Sequence, residues 1–249
     1  MPKATATLMI LFIALAMRQS SGPTDIEAAM EAYRNRDFNS AFTLFTPLAQ
    51  NGSAVAQLSL ALMYAKGEGT RQDLEAAKGW LEKSAGQGLA EAQYDLAMMY
   101  VTGHGAPQEP AKASFWLQKA AEQGHGQAQF YLGLYYAQGV GMEKDFAQAA
   151  KWFGKAADRG ESGAQFNLGV LYMEGLGVAK DLGMAAKWFG KAAEQGDPEA
   201  QSSLGLLYAE GKGVDKDLAE AEKWLAKAAE RGNEVARENL KILRGMRTR

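Results

Sequence analysis

The sequence predicts an all-α solenoid of helix-turn-helix repeats with a 36-residue period. Three observations predict it. The five tryptophans, Trp80, Trp116, Trp152, Trp188 and Trp224, are each separated by 36 residues. The same step relates Tyr64, Tyr100, Tyr136, Tyr172 and Tyr208, and also Gln57, Gln93, Gln129, Gln165 and Gln201. A leucine ladder (Leu60, Leu96, Leu132, Leu168, Leu204) keeps the register without one insertion. Each unit of such an array is one supersecondary element that cannot bury its apolar face alone, so neighbours must stack.

Composition fits a chain with an extensive core: 47% of its 249 residues are apolar and 22% are charged. The formal net charge of -2 leaves no basic excess for nucleic acid or an anionic membrane surface. Residues 1–22 read differently. Lys3 precedes the apolar run Leu8–Met17, which contains Ala14-Leu15-Ala16 and gives way to polar Arg18–Ser21. That order describes a secretory signal peptide, with an uncleaved N-terminal anchor as the alternative. The run is shorter than the roughly twenty apolar residues of a permanent span, and no later segment is apolar enough to be one. An exported protein, periplasmic or secreted, is therefore expected. The absence of cysteine excludes disulfides, a thiol nucleophile and cysteine-based metal sites.

The remaining chain divides into an N-terminal capping helix pair (23–52), five repeats (about 53–88, 89–124, 125–160, 161–196 and 197–232) and a C-terminal capping helix (233–249). In the third repeat, Ala128, Leu132, Tyr135 and Tyr136 recur at helical spacing and predict a first helix, A. Gly139-Val140-Gly141 ends it, because glycine takes the left-handed conformation that a helix terminus often needs. Asp145 is then a suitable N-cap for a second helix, B, and recurs as Asp73, Asp181 and Asp217. In the second repeat Glu109 takes that place and Pro110 follows, at the one helical position where a missing N–H is harmless. Helix B carries Ala149, Trp152, Phe153, Ala156 and Ala157 and stops at Gly160, matched by Gly88, Gly124, Gly196 and Gly232. Small residues share single slots: Ala77, Ala113, Ala149, Ala185 and Ala221, and Ala61, Ala97, Gly133, Gly169 and Gly205. They allow close helix approach while the aromatic ladders fill the wedges. At the C-terminal end Arg237 and Arg244 stand in the glutamine and tyrosine slots, giving the charged outer face that a terminal helix requires.

These ladders carry a family resemblance. Residues 164–178 read Ala-Gln-x-x-Leu-Gly-x-x-Tyr-x-x-Gly-x-Gly-Val, followed by Asp181, Ala185, Trp188 and Lys191-Ala192-Ala193. The pattern resembles the Sel-1-like repeat, a longer relative of the tetratricopeptide repeat, over about residues 25–245. The resemblance implies a right-handed α/α superhelix that serves as an adaptor or scaffold, often in bacterial envelope assembly, signalling or host contact. It does not name a partner. Some exported cysteine-rich members are linked to β-lactam or peptidoglycan-fragment binding, which makes a cell-wall-fragment binder or weak β-lactamase-like hydrolase the alternative. This chain lacks the cysteines of that branch.

No catalytic constellation is legible. The Gly-x-Gly turns follow helices instead of strands and are not followed by Gly-Lys-Ser/Thr, so they read as helix stops and not as phosphate loops. Ser-x-x-Lys, Gly-x-Ser-x-Gly and Lys-Thr-Gly are all absent. The two histidines, His104 and His125, lie between glycines in turns and read as solvated loop residues. Met63, Met98 and Met99 read as packing residues. No enzyme activity, catalytic residue, cofactor or metal is expected.

What remains is the surface that varies between repeats. On a helical wheel, one side of helix A holds Ser59 and Lys66, then Asp95 and Thr102, Tyr131 and Gln138, Asn167 and Glu174, and Ser203 and Glu210. This stripe is expected to line a concave face and to bind a protein or peptide partner. The candidate binding residues are Asp95, Met99, Tyr131, Tyr135, Gln138, Asn167 and Glu174, with Tyr131 and Tyr135 as aromatic anchors.

Overall fold

A computed structural model describes residues 25–247. The expected signal peptide or anchor lies outside them. The described residues form α-helices and no strand: an all-α solenoid, as the ladders require. The leading pair is α1 (Asp25–Arg34) and α2 (Phe38–Gln50). Five A/B pairs follow: α3 (Ala54–Lys66) and α4 (Leu74–Gly86), α5 (Ala90–Thr102) and α6 (Pro110–Glu122), α7 (Gly126–Gln138) and α8 (Phe146–Asp158), α9 (Ser162–Glu174) and α10 (Leu182–Glu194), and α11 (Pro198–Glu210) and α12 (Leu218–Glu230). The last helix is α13 (Glu234–Arg247). The chain divides into two compact units at Ala120/Ala121, inside α6. Within each unit a helix packs chiefly on the helices next to it in sequence.

Asp73, Asp145, Asp181 and Asp217 cap their B helices through side-chain oxygens that accept from backbone N–H groups of the first turn, at 2.8–3.0 Å. Pro110 opens α6, where Glu109 pairs with Lys112 at 2.9 Å. The two glycines of each turn have separate reasons. Gly175 ends α9 in the left-handed conformation (φ 73°), its N–H returning to Leu171 O. Gly177 (φ 68°) sits so close to the Phe146 carbonyl that a Cβ would overlap it. The first glycine reverses the chain; the second lets the turn lie on the start of the preceding B helix.

The glutamine ladder is a set of clamps. Each glutamine is buried, with 3–5% exposure. Gln57, Gln93, Gln129, Gln165 and Gln201 donate through Nε2 to the carbonyls of Ala49, Ala85, Ala121, Ala157 and Ala193 at 3.0–3.1 Å. Those carbonyls belong to the last turn of the preceding helix, where the N–H of the glycine three residues on gives them one donor and the lone pair left over is open to a side chain. One glutamine thereby adds a second bond to a helix end and fixes the next helix against it. Gln57 Oε1 accepts from Gln87 (2.7 Å) and Gln165 Oε1 from Gln195 (2.8 Å). Arginines stand at the equivalent positions 159 and 231, and Gln129 Oε1 and Gln201 Oε1 find no donor among the described residues.

The small slot on helix A works by exchange with helix B. A Cβ on Gly133 would lie 2.6 Å from the Phe153 ring, and one on Gly169 would lie 2.7 Å from Phe189. In the first two repeats alanine replaces the glycine (Ala61, Ala97) and leucine replaces the ring (Leu81, Leu117), so combined volume is kept. Trp152 and Trp188 are buried, whereas Trp80, Trp116 and Trp224 are only partly so. A lysine one turn on covers the tryptophan ring: Lys83 on Trp80, Lys155 on Trp152, Lys191 on Trp188 and Lys227 on Trp224, at 4.1–4.6 Å from the centroid. On α13, Arg244 reaches back to Glu222 of α12 at 2.8 Å.

Candidate partner-binding face

The stripe on the A helices resolves into two rungs. The first holds Ser59, Asp95, Tyr131, Asn167 and Ser203, all in the middle of their helices. Three of these turn back on their own backbone. Ser59 Oγ donates to Val55 O (2.9 Å), Asn167 Nδ2 to Gly163 O (2.7 Å) and Ser203 Oγ to Glu199 O (2.8 Å). Short donors at mid-helix commonly bond the carbonyl one turn earlier. Ser59 is buried, Asn167 and Ser203 only partly. The second rung is exposed: Lys66, Thr102, Gln138, Glu174 and Glu210 all face solvent.

Asp95 is the exception on the first rung. A carboxylate has no proton to give to the carbonyl one turn back, and the residue there, Glu91, is itself acidic. Burial first, and then the Glu91 charge, push the Asp95 carboxyl up to about 7, with Lys66 pulling only partly the other way. Around it the first unit gathers a polar cluster that sequence reasoning missed. Tyr33 on α1 donates to Glu68 Oε2 at 2.7 Å, and Lys66 Nζ lies 3.3 Å from the Tyr33 hydroxyl and 3.9 Å from Glu68. Burial and the Glu68 hydrogen bond raise the Tyr33 hydroxyl far above its usual range. Lys66 was visible on the stripe. Tyr33 and Glu68 lie outside the ladders, so no periodic signal marked them.

The expected binding residues divide between the units. Asp95 and Met99 belong to the first; Tyr131, Tyr135 and Gln138 on α7, and Asn167 and Glu174 on α9, belong to the second. Tyr131 is partly buried, with its ring edge-to-face on Phe130 at 5.5 Å. Tyr135 departs from the expectation of an open anchor: only 8% of it is exposed. It shares its rung with Met63, Met99, Leu171 and Leu207, of which all but Met99 are buried, so the rung belongs chiefly to the core and not to the stripe. Burial accordingly raises its hydroxyl above the ordinary tyrosine range. Met99 is partly buried, and its terminal methyl packs against Gly105 of the following turn. His125, read as a solvated loop residue, is instead the N-cap of α7, its Nδ1 accepting from Ala128 N at 3.2 Å. Among the described residues no cluster of three or more potential metal ligands exists, and no helix is long and apolar enough to cross a membrane.

In the second unit the stripe borders a groove of about 370 Å³. Glu174, Ser203 and Glu210, all stripe positions, line it together with Met173, Leu206 and Lys180. Apolar side chains with charged groups alongside suit an extended segment that carries both kinds of side chain.

Comparison with known proteins agrees with this architecture. The Sel1 repeat profile matches residues 54–89, 90–125, 126–161, 162–197 and 198–233. The crystal structure of c5321, a protective antigen of uropathogenic Escherichia coli strains with an SLR fold, is 39% identical with a TM-score of 0.75. That match covers 80% of this chain and 43% of the antigen, so the chain spans under half the antigen's length. A Sel1 repeat protein from Oxalobacter formigenes is 32% identical with a TM-score of 0.78, covering 88% of this chain and 87% of that one. No curated protein matched the sequence. Sel1 repeat proteins are generally protein-interaction scaffolds and generally non-catalytic. With five contiguous repeats over residues 54–233 and these two structural likenesses, the chain belongs to the Sel1 repeat family.

Proposed function

We propose that the protein is an exported, non-enzymatic adaptor that holds a protein or peptide partner on the A-helix face. The observation that carries this reading is the groove beside Glu174, Ser203 and Glu210. Its lining combines residues free to differ between repeats with the apolar Met173 and Leu206, the combination that lets a scaffold encode specificity without disturbing its ladders. Export rests on Lys3, the Leu8–Met17 run and Ala14-Leu15-Ala16. The likeness to a protein described as a protective antigen is in keeping with export.

A photo-crosslinking residue at Ser203, compared with one at exposed Lys151 on α8, tests the face in cells that make the full chain. Partner adducts at Ser203 and not at Lys151 are expected; the reverse pattern would move the site off the A helices. Intact-mass analysis of the exported protein tests processing. A mature chain beginning between Met17 and Pro23 is expected, and a mass that retains Met1 through Ala16 would establish an anchor.

A further inference from the structure

A second groove of about 540 Å³ lies on the B-helix side of the second unit. Ala186, Lys187, Gly190 and Lys191 of α10 line it with Tyr208 of α11 and Trp224 of α12. The repeat register shows what fills the corresponding place in the first unit. There the equivalents of Ala186, Gly190 and Tyr208 are Lys78, Glu82 and Tyr100. Lys78 Nζ pairs with Glu82 Oε1 at 3.4 Å, and the Tyr100 hydroxyl donates to the same oxygen at 3.5 Å. The first unit thus places its own carboxylate between a tyrosine hydroxyl and a lysine.

In the second unit the carboxylate is gone and its surroundings remain. Gly190 replaces Glu82, while the cation moves one position along the helix, from Lys78 to Lys187. Lys187 has no ion pair and the Tyr208 hydroxyl no hydrogen bond among the described residues. Of the two glutamates at the rim, Glu220 is paired with Lys223 at 2.8 Å, so the two remaining lysines, Lys187 and Lys191, face one carboxylate, Glu194. Nor does packing explain the glycine. A Cβ at Gly190 would meet nothing within 4 Å, and glycine inside a helix is destabilising relative to alanine.

We infer that this groove takes a glutamate or aspartate side chain from an acidic segment of a partner protein, its carboxylate standing where Glu82 stands in the first unit. It accepts from the Tyr208 hydroxyl and pairs with Lys187, while its methylenes lie against Trp224. This surface is separate from the A-helix groove and does not depend on it.

The full chain titrated with a fluorescent Glu-Ala repeat peptide, and with its Gln-Ala counterpart, tests the inference. The acidic peptide is expected to bind and to weaken as salt rises. The neutral peptide is expected to bind on the order of tenfold less tightly. Gly190→Glu, which restores the internal carboxylate, should abolish binding, whereas Gly190→Ala should retain it. If Gly190→Glu does not fold, as judged by circular dichroism, Tyr208→Phe and Lys187→Ala carry the same test by each weakening the acidic peptide severalfold. Equal binding of the two peptides, undiminished binding by the variants, or no binding of the acidic peptide would overturn the inference. So would displacement by free glutamate at the peptide's own concentration, which would make the groove a small-anion site.

Discussion

Asp95→Asn isolates the one carboxyl on the A-helix stripe that the fold holds far from its ordinary state. The folded protein raises this group from 3.8 to about 7, so it binds a proton more tightly folded than unfolded. Below pH 4 the carboxyl is protonated in both states and contributes no difference. Between pH 4 and 7 the unfolded chain releases its proton first, so stability falls as pH rises, and above pH 7 the full penalty persists. At about 1.4 kcal/mol per tenfold change in proton affinity, the ceiling is about 4 kcal/mol. Asp95 is only partly buried, and water screening reduces the expected effect to about 1–2 kcal/mol. Asparagine cannot ionise and can donate to the carbonyl one turn back, as Asn167 does. The variant should therefore match the wild type near pH 3 and exceed it by about 1–2 kcal/mol at pH 8.5, read from urea unfolding at both values. Equal stability at pH 8.5, or a wild type that gains on the variant as pH rises, would refute the assignment.

Three further outcomes follow from the packing. Gly169→Ala drives a methyl against Phe189 at 2.7 Å and should cost about 1–3 kcal/mol in chemical denaturation, with Phe189→Leu restoring most of it, as the Ala61 and Leu81 pairing implies. Gln165→Leu removes one of the donors to the Ala157 carbonyl, which keeps the Gly160 N–H, and should cost about 1 kcal/mol in the same assay. Tyr135→Ala, at a buried position, should lower the thermal midpoint through a loss of about 3 kcal/mol, whereas Tyr131→Ala should lose less stability and act mainly on partner affinity.

The sequence by itself determined the repeat, its period, the two helices of each unit and their caps. These features are local or periodic. An Asp before a helix, a glycine after it and an apolar residue every third or fourth position each act within one or two turns of chain, so they can be read without coordinates. The ladders also showed that Gln57 and its equivalents matter. Only the tertiary structure decided how: the amide must reach a carbonyl eight residues earlier on another helix. The same limit explains the errors on the stripe. A helical wheel separates faces by about 100° per residue, but the width of the buried arc depends on how closely the neighbouring helix approaches. Tyr135 falls inside that arc and Tyr131 at its edge, a distinction set by helix–helix distance and not by spacing. Asp95 shows the limit most clearly. Its sequence neighbours explain the repulsion from Glu91, but burial is the larger cause of its raised proton affinity, and burial exists only once the helices have packed.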